Sequence, residues 1–253
     1  MQGIQMPKKL IDRRTAIIGG TIAVAATATS NHAFCAQPQP QESHTKEAES
    51  KADQEKPPEN YEQAIERLLN GNKRFVQGQL NHPHSATDWR KRLVGAQKPF
   101  ATILGCSDSR VPPELLFDQG FGDLFVIRVA GNVIDTDVAG SVEYGVDHLQ
   151  TKLVVVMGHE GCGAVTAALQ SQKDLAKEPN EIQSLVGKIK PAIRNFDSDV
   201  TFAQRLKISV EDNVRNSVKR LQEISDLALA EKESRTKIVG LVYEIETGKV
   251  RTI

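Results

Sequence analysis

An α/β fold, with a mainly parallel β-sheet flanked by helices, is predicted by three observations. Short apolar, β-rich runs recur at 100–105, 124–129, 153–158 and 238–245. Stretches with apolar residues at helical spacing stand between them. Each of the first three runs stops abruptly at a polar or glycine-rich cluster. Strands that alternate with helices must be joined by crossovers, and crossovers cover both faces of a parallel sheet.

Taken in order, the chain opens with basic residues (Lys8, Lys9, Arg13, Arg14) and a charge-free apolar stretch, Thr15 to Ala28. Fourteen helical residues rise only about 21 Å, less than a hydrocarbon core of about 30 Å. The pattern is that of an export leader over residues 1–36. Asp12-Arg13-Arg14-Thr15-Ala16-Ile17-Ile18 resembles a twin-arginine signal, and Ala26-Thr27-Ala28 offers small residues for cleavage. Residues 37–59 are Pro, Gln, Glu, Lys and Ser with almost no large apolar side chain, so they read as a disordered polar linker. The leader implies an exported protein, in the periplasm or another extracytoplasmic compartment.

The folded domain is expected over 60–253. Ala64, Leu68, Leu69 and Phe75 predict a helix over 61–77 that ends at Gly78. Residues 79–98 are polar and irregular, with a helical turn or two over 88–94. After the strands at 100–105 and 124–129, Val138, Val142, Val146 and Leu149 predict a helix over 138–149. The strand over 153–158 is followed by helices over 163–172, 182–195 and 202–224. The run 238–245 and Thr247-Gly248-Lys249-Val250 read as strand, turn and strand.

The whole chain has 32 Lys and Arg against 32 Asp and Glu, which gives no footprint for nucleic acid or an acidic surface. With 5% aromatics it lacks stacking platforms for single strands. Its three cysteines (Cys35, Cys106, Cys162) cannot build a disulfide framework.

Ligands of parallel sheets sit beyond the carboxyl ends of the strands. There the sequence places Cys106-Ser107-Asp108-Ser109-Arg110 and His159-Glu160-Gly161-Cys162-Gly163. Any one of Cys106, His159 and Cys162 alone would read as a buried core residue. Together, at two strand ends, they read as a zinc site with three protein ligands and one position open. Arg110 is spaced to hold Asp108 in a fork, so that the carboxylate orients a nucleophile rather than taking the metal. Gly158, Gly161 and Gly163 lack dinucleotide spacing and read as glycines that let the backbone wrap closely around an ion.

The text Cys106-Ser107-Asp108-Ser109-Arg110-Val111-Pro112-Pro113-Glu114, then Arg128-Val129-Ala130-Gly131-Asn132, then Gly158-His159-Glu160-Gly161-Cys162-Gly163-Ala164 resembles the β-carbonic anhydrases, with weaker echoes at Asn213-Val214 and Gly240-Leu241-Val242-Tyr243. The resemblance covers roughly 61–253. It implies one Zn2+ per subunit on Cys106, His159 and Cys162, with Asp108 and Arg110 as the catalytic dyad. It further implies that Gln97, Phe125, Tyr144 and Gly163 line the substrate pocket, in which zinc-bound hydroxide hydrates carbon dioxide to bicarbonate and a proton. Dimers or larger homo-oligomers are implied, with some pocket walls supplied by the neighbour.

Glu160 departs from the Ser or Thr often found after the histidine. Ile103 replaces the tryptophan of members that regulate themselves through a bicarbonate pocket, which implies the always-open subtype. His82 and His84 read as loop bystanders and His148 as a helix-surface residue. Two other activities compete: hydrolysis of carbon disulfide or carbonyl sulfide on the same scaffold, and a non-catalytic zinc-binding assembly role.

Overall fold

The computed structural model describes residues 56–253; the leader and most of the linker lie outside the described residues. The elements are helices α1 (Tyr61–Gln77) and α2 (Thr87–Arg92), strand β1 (Ala101–Gly105), α3 (Pro113–Leu116), β2 (Leu124–Arg128), α4 (Thr136–Asp147), β3 (Leu153–His159), α5 (Gly163–Ala168), α6 (Gln172–Leu175), α7 (Asn180–Ile189), α8 (Phe202–Gln222), α9 (Ser225–Lys232), β4 (Lys237–Tyr243) and β5 (Val250–Thr252).

The strands form one sheet in the order β2-β1-β3-β4-β5. The first four are mutually parallel, and β5 returns antiparallel beside β4. The α/β expectation therefore holds, antiparallel edge included. Alternation along each strand sorts side chains to two faces. Ala101, Ile103, Leu153, Val155, Met157 and Leu241 pack with Leu68 of α1 and Leu116 of α3. Leu104, Val154, Val156, Ile238 and Val242 pack with residues of α4, α5, α7, α8 and α9. Every residue of β1 and β3 is buried, as continuous apolar runs require of central parallel strands.

Local signals place the helix ends. The Asn60 side chain accepts from the Gln63 N–H at 2.9 Å, and Gly78 closes α1 in the left-handed region at φ 65°. Thr201 and Gln204 form a reciprocal cap at the start of α8. Three expected helices are shorter or interrupted. The one expected at 163–172 stops at Ala168, and Ser171 caps a new turn, α6. The one expected at 182–195 ends as α7 at Ile189, before Pro191. The one expected at 202–224 ends as α8 at Gln222, and a short helix that was not expected, α9, follows it.

Gly158 has a different role from the one expected. A Cβ there would lie 2.5 Å from Val214 Cγ2, so this glycine admits α8 against β3 rather than wrapping an ion. Gly161, at φ 66°, is the one that turns the chain between His159 and Cys162. Burial of Val214 in that contact contributes about 1.5–3 kcal/mol.

Candidate metal centre

Parallel register brings the two motifs together. Gly105, the last residue of β1, is level with Met157 of β3, so Cys106 emerges beside the end of a strand whose last residue is His159. Cys162 follows one turn later, at the N-cap of α5. One donor atom each from Cys106, His159 and Cys162 lies within 4.8 Å of the others, and all three residues are buried. Tetrahedral zinc with bonds of about 2.3 Å to sulfur sets its sulfurs about 3.8 Å apart, so the cluster is of the right size.

The histidine is oriented for this use. His159 Nδ1 is 2.9 Å from the Glu160 carbonyl, which assigns it the proton and leaves Nε2 as a lone-pair donor. That Nε2 is buried without a hydrogen-bond partner. A buried imidazole nitrogen left unpaired beside two sulfurs fits a soft divalent cation.

Each sulfur has backbone N–H groups facing it: Gly131 N–H reaches Cys106 Sγ at 3.3 Å, and those of Ala164 and Val165 face Cys162. Its neighbours, Cys162 foremost, then His159 and the Gly131 N–H, draw the Cys106 thiol down to about 4 against the opposing effect of burial. Cys162 is pushed up by the neighbouring Cys106 and by burial. Two buried sulfurs at this separation lose one proton readily and the second only with a cation between them.

Asp108 stands beside the donors, with Oδ2 3.8 Å from His159 Nε2. Both carboxylate oxygens are taken by Arg110: Nε to Oδ1 at 2.9 Å and Nη2 to Oδ2 at 2.7 Å, with the Arg110 backbone N–H adding 3.0 Å to Oδ1. These hydrogen bonds hold the Asp108 carboxyl well below the usual carboxylate range. Arg128 donates to the carbonyls of Cys106 (3.0 Å) and Asp108 (2.6 Å), clamping the segment that carries both residues. That second arginine belongs to the quoted Arg128–Asn132 motif, but nothing in its spacing revealed which carbonyls it would take.

The expected pocket residues divide. Gly163 opens α5 next to Cys162, and open space lies where its Cβ would be. Gln97, Phe125 and Tyr144 are not beside the donors of their own chain. Gln97 is exposed on the coil that enters the amino end of β1. Phe125 pairs with Thr102, three residues (about 10 Å) before the Gly105–Arg128 level. Tyr144 is 46% exposed and lies near Phe125, the two rings tilted with centres 6.0 Å apart.

His148 is exposed at the end of α4, as expected, with its ring 4.9 Å from that of Tyr144. His84 is more than a loop bystander: it is buried, its Nδ1 is 2.8 Å from Asp123, and its ring stacks on Trp89 at 3.8 Å.

Comparison with known proteins agrees with this geometry. The carbonic anhydrase family matches residues 101–250. "Carbonic anhydrase 2" of Mycobacterium tuberculosis is 41% identical over 187 residues, covering 72% of this chain and 87% of its own length. The solved β-carbonic anhydrase CcaA superposes with a TM-score of 0.61 at 26% identity, over 74% of this chain and 86% of that one. The Coccomyxa β-carbonic anhydrase, solved with acetazolamide, gives a TM-score of 0.59 at 27% identity, over 64% and 75%. With a family match across more than half its length and relatives of this similarity, the chain belongs to the carbonic anhydrase family, as an enzyme of the β class.

Proposed function

We propose that the protein hydrates carbon dioxide reversibly to bicarbonate and a proton, with zinc held by Cys106, His159 and Cys162. The observation that carries this reading is the convergence of the three donors within 4.8 Å beside a carboxylate already engaged by an arginine. Zinc in such a site supplies a Lewis acid that lowers the pKa of water to about 7. Asp108, kept ionised and fixed by Arg110, accepts a hydrogen bond from the attacking oxygen and sets its direction. With both oxygens on Arg110, the carboxylate is held off the open corner of the donor set. This arrangement supports the open resting form that Ile103 implies.

The pocket is completed by a second copy. Gln97, Phe125 and Tyr144 sit at the amino end of the sheet, so in a homodimer those of the neighbour face the donors. There Gln97 donates to the developing negative oxygen, while Phe125 and Tyr144 exclude water from a small apolar substrate. Carbon disulfide or carbonyl sulfide hydrolysis and a purely assembling role are not favoured by the relatives found.

The decisive experiment is metal analysis with a carbon dioxide hydration assay on the parent and on Asp108→Asn. One zinc per subunit in both, with activity lost in the variant, is expected; an inactive, zinc-loaded parent overturns the reading. We further propose export by the leader, tested by fractionating cells that express Arg13→Lys/Arg14→Lys, which should retain the protein inside.

A further inference from the structure

The Gly131–Asn132 turn carries the N–H that meets the Cys106 sulfur, and it is a turn that needs outside support. Gly131 and Asn132 both have positive φ (70° and 43°), and glycine has more backbone freedom than any other residue. On one side the turn is walled by α5 and α7: a Cβ on Gly131 would meet Ile189 Cδ1 at 2.7 Å and Ala164 Cβ at 3.0 Å. On the other side lies α8. The Asn213 side-chain amide donates to the Gly131 carbonyl at 2.8 Å, and the Ser217 hydroxyl, one helical turn on, donates to the Asn132 carbonyl at 3.1 Å. Asn213 is 1% exposed and Ser217 2%, so water does not compete for either bond.

We propose that Asn213, assisted by Ser217, is a positioning residue for the metal centre: by holding both carbonyls of the turn it keeps the Gly131 N–H aimed at Cys106 Sγ. Through that one hydrogen bond, α8 sets the direction of the first ligand and the electron density it offers. The inference rests on reading Cys106 as a metal ligand. Groups that orient and hydrogen-bond ligands change metal affinity by about 10–100-fold when removed. An N–H directed at a thiolate also lowers the energy of the sulfur lone pairs.

The test uses the full-length protein loaded with cobalt(II), whose thiolate charge-transfer band reports on the sulfurs directly. Asn213→Ala is expected to weaken metal binding about tenfold in chelator competition and to move the band to longer wavelength, because the freed sulfur becomes a better donor. Ser217→Ala is expected to do the same to a smaller degree, and it decides the matter if Asn213→Ala does not fold. Leu221→Ala, buried two turns further along α8, should lower the melting temperature without moving band or affinity.

If parent and Cys106→Ser give the same cobalt spectrum, the ligand assignment itself has failed and the inference falls with it. A parent band that Cys106→Ser diminishes, but that both Asn213→Ala and Ser217→Ala leave in place with full affinity, overturns the positioning role alone.

Discussion

At the carboxyl end of β1 and β3, residues as distant in sequence as Cys106 and Cys162 close on one another within a single chain, buried and braced by Arg128 and Gly131. At the amino end of the same sheet, Gln97 and Tyr144 are exposed, with Phe125 half-buried beside Tyr144, and none stands beside a donor of its own chain. The sheet's direction explains the difference. Parallel pairing stacks like ends together, so two motifs that each follow a strand must meet, whereas residues that precede or begin a strand are carried to the other edge. On the proposed reading, one chain thus holds a complete ligand set and only part of a pocket.

The largest expected effect breaks the carboxyl-end half. Cys106→Ser should lose the metal and with it all measurable hydration, because a hydroxyl replaces a charged soft donor. Elemental analysis of the purified variant checks the first part, and retained zinc would show that the sulfur is not a ligand. Asp108→Asn separates holding from chemistry: metal stays, while kcat/KM for carbon dioxide falls by about a hundredfold or more. Circular dichroism should be unchanged, since the substitution is nearly isosteric and Asp108 is close to the surface.

The amino-end half is tested by mixing. Tyr144→Ala, alone, should lower kcat/KM by about tenfold with zinc unchanged, through loss of a wall that excludes water. Hybrids of Tyr144→Ala with Cys106→Ser carry one site in which the intact ligand set faces the intact wall. They should regain activity above that of Tyr144→Ala homodimers, per zinc bound. No gain on mixing would place the wall and the ligands in the same chain and overturn the shared pocket.

What was legible in the sequence follows the same division. The convergence of Cys106 with His159 and Cys162 was readable because each motif is a short segment at the end of an unmistakable apolar strand, and strand direction did the rest. The helix over 61–77 was readable because its apolar residues fall at helical spacing and Gly78 marks its end, while the Asn60 cap emerged only in the structure. By contrast, Gly158 looked like part of the metal turn, and only the packing of Val214 shows that it serves the β3–α8 contact. Asn213 was read only as a weak echo of the family text, and Ser217 was not singled out. Their targets are carbonyls 82 and 85 residues away, and no local pattern encodes a contact of that range. Likewise, the resemblance implied that Gln97, Phe125 and Tyr144 line a pocket and that some walls come from the neighbour, but not which of these residues do.

The smallest expected effect is a control on the opposite face of the helix that carries Asn213. Glu211 accepts from Arg215 at 3.1 Å and from Arg251 of β5, which also approaches Glu244 at 3.4 Å. Burial pushes the Glu211 carboxyl up, and the hydrogen bonds from Arg251 and Arg215 overcome it, so the group lies below its ordinary range in the folded chain. A depressed carboxylate contributes stability above its unfolded pKa, and that contribution disappears as pH falls through the folded pKa. Glu211→Gln should therefore lower the urea midpoint at neutral pH by the equivalent of about 1 kcal/mol, a small figure because these side chains are partly solvated. Parent and variant should converge in acid, once the carboxyl of the parent is also neutral. Metal content and hydration kinetics should not move at any pH where both proteins are folded. Two residues apart on α8, Glu211 and Asn213 would then divide cleanly into one that only holds the sheet edge and one that reaches the metal, and a Glu211 variant with altered zinc affinity would dissolve that distinction.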